Sequence, residues 1–250
     1  TLKTSLNIEV HLMIADIDMR YADWLLTSVN RLIIHKEAGH DLLLVVQKIK
    51  KAGKEAVVAM LPETPWVHID VADGTFTPNS IWHNAPDLNT LETELNIEVH
   101  LMLANIDARF SDWLLANVKR LIIHLEAAED PLFVVKKIQE AGKEVLIGIL
   151  PETPWEDTKP FWGKADGILL LSVSPGRAGQ KMHSNTMNKM SGLHRACPSC
   201  IIETDGGVNK ENIKALRDAG VTRFAVASAI FGQKDIKKAI EDLTHAPSRR

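Results

Sequence analysis

The chain has 250 residues and a net charge of −3; 45% of its residues are hydrophobic and 24% are charged. This balance is typical of a globular protein with a sizeable core and excludes an intrinsically disordered chain. Acidic and basic residues are mixed throughout, without the basic stripe that nucleic-acid binding leaves, and no apolar run reaches the roughly 20 residues that span a membrane. We therefore predict a cytoplasmic protein that binds neither nucleic acid nor a membrane.

A repeat dominates the organisation of the chain. Residues 7–66 and 96–155 align without insertion, and about two-thirds of the aligned positions are identical. Both copies contain the strings NIEVHLM, DWLL and LPETPW. Self-similarity of this kind indicates a repeated supersecondary unit. The sequence therefore predicts a duplicated segment at 1–66, which copies 90–155, and a main barrel with the catalytic site at 67–250.

Each copy is predicted to form three strands connected by helices. In the first copy the strands are 9–13, 31–35 and 55–61, and in the second copy the first two are 98–102 and 120–124. An amphipathic helix around Asp-Trp-Leu-Leu follows the first strand, and a lysine-rich helix closed by Ala-Gly follows the second, since glycine after such a helix is a stop signal. Strands that alternate with helices predict a parallel sheet.

The unrepeated segments continue this alternation. The predicted strands are 67–71, 167–173, 201–204 and 222–227, and the predicted helices are 87–95, 184–196, 210–219 and 235–243. This gives ten strands, whereas a closed barrel of this class has about eight. The five residues between 61 and 67 are too few for a parallel crossover. Either the first 66 residues lie outside the main barrel, or they pair with another chain, or residues are missing at this junction. Seven strands remain for the barrel, and an open edge invites association, so we predict a homo-oligomer.

Four segments of the sequence resemble the ribulose-phosphate 3-epimerase family. They are VHIDVADGTFTPN at 67–79, EVHLM at 98–102, DGILLLSVSPGRAGQ at 166–180, and TDGGVNKENI with VASAIF between 204 and 231. The resemblance implies an α/β fold, a (β/α)8 TIM-type barrel of the ribulose-phosphate-binding type. It also implies metal-dependent epimerisation of a ketose phosphate at C3, with ribulose 5-phosphate or a related sugar phosphate as substrate.

The resemblance assigns roles to individual residues. The implied metal ligands are His68, Asp70, His100 and Asp205, and Asp70 and Asp205 are also the implied acid/base carboxylates. The implied substrate and phosphate contacts are Met102, Gly179, Gln180, Gly206, Gly207, Ala227 and Ser228. The implied cofactor is a divalent metal ion: zinc, manganese or iron.

The residue pattern itself favours the same site. His68 and Asp70 are two positions apart on a predicted strand and therefore face the same side. Asp205 follows a strand directly, and catalytic groups of such barrels come from the C-terminal ends of several strands. Two imidazoles and two carboxylates suit a transition metal. Two carboxylates can exchange acid and base roles while a proton leaves one face of an enediolate and returns to the other.

Several positions depart from the family pattern and leave alternatives open. Ala72 and Leu171 stand where the family has methionine, Ala227 stands where it has glycine, and the family's first strand has no match. One alternative is therefore a non-catalytic or engineered barrel scaffold that retains a phosphosugar site. Another is a sugar-phosphate decarboxylase of a related barrel family, although the segment 70–73 lacks the lysine of the Asp-x-Lys-x-x-Asp motif.

Two further features have structural rather than catalytic interpretations. The first repeat copy holds only His11 of the ligand set, so we interpret it as architectural. Cys197 and Cys200 form one C-x-x-C pair, and a structural zinc site needs a second pair. We therefore expect two reduced thiols that have a packing role.

Overall fold

The computed structural model describes residues 9–12, 31–35, 55–59 and 66–244, except 82, 92, 94, 177–179 and 234. The chain divides into two compact units, Thr1–Thr64 and Pro65–Arg250. In the first unit, three parallel strands pair in the order of the sequence: β1 (Glu9–Leu12), β2 (Arg31–His35) and β3 (Glu55–Ala59). They coincide with the three strands predicted for the first repeat copy.

The second unit contains seven parallel strands that form a nearly closed barrel of the TIM type. They are β4 (Trp66–Ala72), β5 (Asn96–Met102), β6 (Val118–His124), β7 (Glu144–Ile149), β8 (Gly167–Leu171), β9 (Ile202–Asp205) and β10 (Arg223–Ala225). Each strand pairs with the next one in the chain. β3 and β4 belong to different sheets, so no crossover has to connect them. The short segment between them is too short to form one. The predicted homo-oligomer stays a prediction.

Five α-helices lie in the described part of the second unit. They are α1 (Pro131–Glu140), α2 (Thr186–Ala196), α3 (Ile213–Asp218), α4 (Ser228–Phe231) and α5 (Ile236–Thr244). Asp130 caps α1 by accepting a hydrogen bond from the backbone N–H of Phe133, and Pro131 opens the helix. None of the helices in the described ranges is long and apolar enough to cross a membrane.

Two predicted helices are wrong in the second unit. The segment predicted as a helix at 87–95 forms only the 3-10 helix Ala85–Thr90, and the Asp-Trp-Leu-Leu segment forms the single 3-10 turn Phe110–Trp113. Phe110 and Trp113 are both buried, so this turn already delivers its two large apolar side chains to the core. Asn105, with a φ of 52°, bends the chain just before it. Tertiary packing therefore outweighs the helical pattern here.

Side-chain alternation along the strands creates two apolar layers with different partners. Val99, Leu101 and Leu121 face the large core between the sheet and its surrounding helices. Ile122, Leu146 and Leu169 form a separate small cluster with Leu171. Residues two apart on a strand share a face, so this small cluster shares the barrel interior with the polar side chains of the same parity, described below.

The two cysteines correct one expectation. Cys197 and Cys200 form a disulfide rather than two thiols. Cys197 is the C-cap of α2, and the turn that follows brings its Cα to 5.4 Å from that of Cys200, a spacing that a disulfide can bridge.

Candidate active site

Four of the side chains singled out from the sequence meet at the C-terminal end of the barrel. His68 and Asp70 lie on β4, His100 lies beside Asp70 in the strand register on β5, and Asp205 is the last residue of β9. Asp70 Oδ1 lies 2.9 Å from His100 Nδ1 and 3.3 Å from His68 Nε2. Asp205 Oδ2 lies 3.8 Å from His100 Nδ1. One donor atom from each residue lies within 4.8 Å of all the others.

This cluster fits a divalent metal ion. It offers two imidazole nitrogens and two carboxylate oxygens, a donor set that suits zinc, manganese or iron. His68 Nε2 is buried and has no hydrogen-bond partner among the described residues, so it is the kind of orphaned polar atom that a bound cation would satisfy. Burial lowers the pKa of His100 to about 4, which keeps its imidazole neutral at pH 7, the form that binds metal.

The two carboxyl groups of the cluster have opposite electrostatic settings. The surrounding protein desolvates Asp70 and by itself would raise its pKa, but the imidazoles of His100 and His68 beside its carboxylate hold that pKa well below its usual range. Burial, followed by the negative charge of Asp70, raises the pKa of Asp205 to about 7. One carboxyl is therefore ionised at neutral pH while the other is poised to hold a proton. Pairs of carboxyl groups whose pKa values are pushed apart are typical of acid/base sites.

A second polar cluster supports His68 from the N-terminal side of the barrel. Glu98 Oε1 accepts a hydrogen bond from His68 Nδ1 at 2.7 Å, which leaves His68 Nε2 facing Asp70. Arg120 Nη1 donates to Glu98 Oε2 at 2.7 Å, and Arg120 Nε donates to Glu144 Oε2 at 2.7 Å. The guanidinium also lies 3.8 Å from the centre of the Trp66 ring. Because the carboxylate of Glu98 is fixed on both oxygens, it orients the imidazole of His68.

Glu203 completes this second cluster as a neutral acid. It is buried with 2% of its surface exposed, and its Oε1 lies 3.8 Å from His68 Nδ1. Burial and the neighbouring charge of Glu98 raise the pKa of Glu203 to about 8. Hydrogen bonding to His68 instead keeps the pKa of Glu98 at about 2, against the opposing effect of its burial. The sequence reasoning missed this cluster, although Glu98 and Arg120 each stand two positions from an inward-facing residue of the same strand.

Beside this end of the barrel lies a cavity of about 470 Å³ that is lined by three of the predicted substrate and phosphate contacts. They are Gln180, Gly207 and Ser228. Gly207 has a φ of 69°, and an added Cβ would lie 2.9 Å from the backbone nitrogen of Met182, so only glycine fits there. Asn212 Nδ2 donates a hydrogen bond to the carbonyl of Gly207 at 2.8 Å and fixes the turn.

The remaining predicted contacts are less closely associated with this cavity. Gly206 does not line it; its φ of 101° and its close approach to Val173 make it a turn residue. Ala227 does not line it either, whereas its neighbours Ser228 and Ala229 do. Met102 is buried at the end of β5, and Gly179 lies outside the described residues.

The barrel fold, with acid and histidine side chains paired at the strand ends, is typical of barrel enzymes. Comparison with known proteins identifies the family. The model of the ribulose-phosphate 3 epimerase family matches residues 1–66 and again residues 65–231. The chain belongs to this family and is an isomerase of the epimerase type. The ribulose-phosphate 3-epimerase of Chlamydia trachomatis is 36% identical over 176 residues, which cover 68% of this chain and 75% of that protein. The corresponding protein of Methanocaldococcus jannaschii is 30% identical, over 86% of this chain and 88% of its own.

Solved structures agree on the fold. The structure of KGPDC from Streptococcus mutans aligns over 96% of both chains with a TM-score of 0.51. The identity in that alignment is 12%, so the likeness concerns the barrel fold alone.

Proposed function

We propose that this protein epimerises a ketose phosphate at C3, with ribulose 5-phosphate or a closely related sugar phosphate as substrate. The observation that carries the proposal is the pair Asp70 and Asp205, which share one site with two histidines while their pKa values lie on opposite sides of the usual carboxyl range. Membership of the epimerase family supports the reaction class. The cavity lined by Gly207 and Ser228 supports a phosphorylated substrate, because glycine lets backbone groups approach an anion closely.

The proposed reaction is a proton transfer with two carboxyl groups. The ionised carboxylate of Asp70 removes the proton from C3, and the electrons of the broken C–H bond form the C2–C3 double bond of an enediolate as the ketone oxygen becomes negative. The protonated carboxyl of Asp205 then donates its proton to the opposite face of C3. Asp70 ends protonated and Asp205 ionised, and the reverse reaction uses the same groups with their roles exchanged.

The four-residue cluster is proposed to hold a divalent metal ion during this reaction. His68, Asp70, His100 and Asp205 are the proposed ligands, and the unsatisfied Nε2 of His68 supports that assignment. A bound cation supplies Lewis-acid chemistry: it polarises the ketone and stabilises the negative charge of the enediolate. The choice among zinc, manganese and iron stays open, because this donor set suits all three.

The test is NMR detection of solvent deuterium entering C3 of ribulose 5-phosphate in D2O. We expect exchange with the full chain, and a loss of roughly 10²–10⁴-fold in Asp70→Asn and in Asp205→Asn, the usual contribution of a general acid or base. Asp112→Asn removes an exposed carboxylate in the turn Phe110–Trp113 and serves as the matched control, with unchanged exchange. If the metal-loaded chain exchanges no deuterium, or if the two aspartate variants exchange as fast as the control, the proposed function is wrong.

A further inference from the structure

One buried histidine beside the site has no role in the proposed reaction. His124, the last residue of β6, has no exposed surface, and its Nε2 lies 2.8 Å from Nε2 of His100. The two rings are stacked, with centroids 5.0 Å apart. On its other side, His124 Nδ1 lies 3.3 Å from Oε2 of Glu126. His100, His124 and Glu126 therefore form a continuous chain that leads from the ligand cluster to the rim of the barrel.

The shared contact between the two histidines restricts where their hydrogens lie. Between two Nε2 atoms at hydrogen-bond distance, one nitrogen donates a hydrogen and the other accepts it. His100 Nδ1 faces the ligand cluster, where Asp70 Oδ1 lies at 2.9 Å. If His100 Nδ1 offers its lone pair to a cation, its Nε2 must carry the hydrogen and donate to His124 Nε2. His124 Nδ1 then carries the second hydrogen and donates it to Glu126. In this arrangement every contact in the chain joins a donor to an acceptor.

The opposite arrangement leaves one contact unsatisfied. If His100 Nδ1 carries the hydrogen and donates to Asp70, then His100 Nε2 accepts from His124 Nε2. A neutral His124 then turns the lone pair of Nδ1 towards the Glu126 carboxylate, and two acceptors face each other at 3.3 Å. When a cation takes the place of the hydrogen between His100 Nδ1 and Asp70 Oδ1, Glu126 therefore favours the tautomer of His100 that leaves Nδ1 free to bind it.

The outer carboxylate is held firmly enough to select that tautomer. Glu126 Oε1 accepts a hydrogen bond from the backbone N–H of Leu150 at 2.8 Å and another from the hydroxyl of Thr153. Its second oxygen, Oε2, is thus directed at His124. Phe76 packs against the His124 ring with centroids 4.9 Å apart. Gly148 leaves room for that ring, because an added Cβ would lie 3.3 Å from it.

We propose that His124 and Glu126 are positioning residues that hold His100 in the tautomer required to bind a divalent metal ion through Nδ1. The inference deepens the proposed function and rests on it, because it assumes that the cluster of His68, Asp70, His100 and Asp205 holds such an ion. Partners that fix the free ring nitrogen of a metal-binding histidine contribute about 10–100-fold to metal affinity.

The experiment measures the affinity of the chelator-stripped full chain for Zn²⁺ by competition with a chromophoric chelator. His124→Phe retains an aromatic ring but cannot accept the hydrogen of His100 Nε2, so we expect affinity to fall about 10–100-fold. His124→Gln provides an amide oxygen that accepts this hydrogen, and we expect it to recover most of the loss. A role in packing alone predicts the reverse order, because phenylalanine fills the buried space better than glutamine. Glu126→Gln, on the partly exposed rim, gives a second variant that does not disturb the core.

The first repeat copy provides matched controls. His35→Phe and Glu37→Gln change the aligned positions and are expected to leave Zn²⁺ affinity unchanged. Equal affinities of the wild type, His124→Phe and Glu126→Gln would overturn the inference alone. Absence of Zn²⁺ binding by the wild type would overturn both the inference and the proposed metal dependence. Ordered affinities without deuterium exchange would leave the positioning role standing and overturn only the proposed reaction.

Discussion

The two repeat copies pair their strands in the same register, yet only the second copy belongs to the sheet that carries the candidate site. In the first unit Glu9 pairs with Arg31 and Arg31 with Glu55. In the second unit the aligned residues repeat this pattern: Glu98 pairs with Arg120, and Arg120 with Glu144. The aligned histidines also match, because His35 pairs with Ala59 where His124 pairs with Gly148. The repeated sequence thus forms the same local sheet twice.

The difference between the copies lies in their neighbours. The second copy adjoins β4, which carries His68 and Asp70, and its sheet continues to β9, which carries Asp205. Among the described residues of the first unit, the sheet β1-β2-β3 contains no counterpart of either strand. The repeated histidine and acid positions are therefore insufficient by themselves to form the candidate site. The carboxylates that make this cluster suited to proton transfer come from unrepeated parts of the sequence.

The largest expected effect separates the two aligned histidines of β1 and β5. His100→Ala removes a proposed ligand and should abolish both metal binding and deuterium exchange, whereas His11→Ala should leave both nearly intact. Metal content after dialysis and the NMR exchange assay measure the two effects. Equal losses from the two substitutions would mean that the first copy contributes directly to the site, and its architectural interpretation would have to be abandoned.

A smaller effect is expected for the aligned glutamates 126 and 37. Burial opposes ionisation of Glu126, but hydrogen bonds from His124, Leu150 and Thr153 lower its pKa from 4.5 to about 2. A carboxyl with a lowered pKa in the folded state stabilises the fold above its unfolded pKa, and this contribution is lost as the pH falls through the folded value. Because Glu126 is partly exposed, solvent screens part of this effect, so Glu126→Gln should reduce the free energy of unfolding by about 1–2 kcal/mol at pH 7. The difference from wild type should shrink between pH 4.5 and 2.

Urea unfolding at several pH values measures this difference. Glu37→Gln is the control, and its effect at pH 7 should be the smaller one if the contacts of Glu126 are particular to the second copy. A loss in Glu126→Gln that does not change with pH would show that the carboxylate charge is not the source of the stabilisation.

The smallest expected effect concerns Gly148 and Ala59, the strand residues paired with His124 and His35. Gly148→Ala would place a Cβ 3.3 Å from His124 Cε1 and Nε2 and from Ile122 Cγ2. The ring must then move by a few tenths of an ångström, which we expect to cost about 1 kcal/mol in stability and a few-fold in Zn²⁺ affinity. Ala59→Gly, the reciprocal change in the first copy, should alter stability by a similar amount through backbone entropy but leave Zn²⁺ affinity unchanged. An unchanged affinity in Gly148→Ala would show that the His124 ring tolerates displacement.

Most strands were predictable from the sequence, whereas the short helices were not. Strand periodicity and the repeat placed all ten strands within a few residues, because each strand is a short apolar segment bounded by turn residues. The segment at Phe110–Trp113 has the apolar spacing of a helix, but one 3-10 turn is enough to bury its two aromatic rings. Whether such a segment forms an α-helix or a 3-10 turn depends on the space between the sheet and the elements that cover it. A local sequence pattern does not specify that space.

The candidate site was predictable in its inner residues and less so in its supports. The family motifs placed His68, Asp70, His100 and Asp205 together, and their side chains lie in one cluster. The roles of Glu98, Arg120 and Glu203 depend on contacts between strands that lie far apart in the sequence. Their pKa values depend on burial and on one another's charge. Neither the contacts between these strands nor the pKa values can be obtained from residue types alone.

The order of the strands gives the ligand cluster a mechanical consequence. The sheet of the second unit begins with β4 and β5 and ends with β9 and β10, and no backbone pairing joins β4 to β10 in the described residues. His68, Asp70 and His100 come from one end of this sheet and Asp205 from the other. The side chains of the cluster therefore lie across the seam of the barrel. An ion held by all four would link the two ends of the sheet across that seam. The bonds that prepare the site for chemistry would then also stabilise the barrel that carries it.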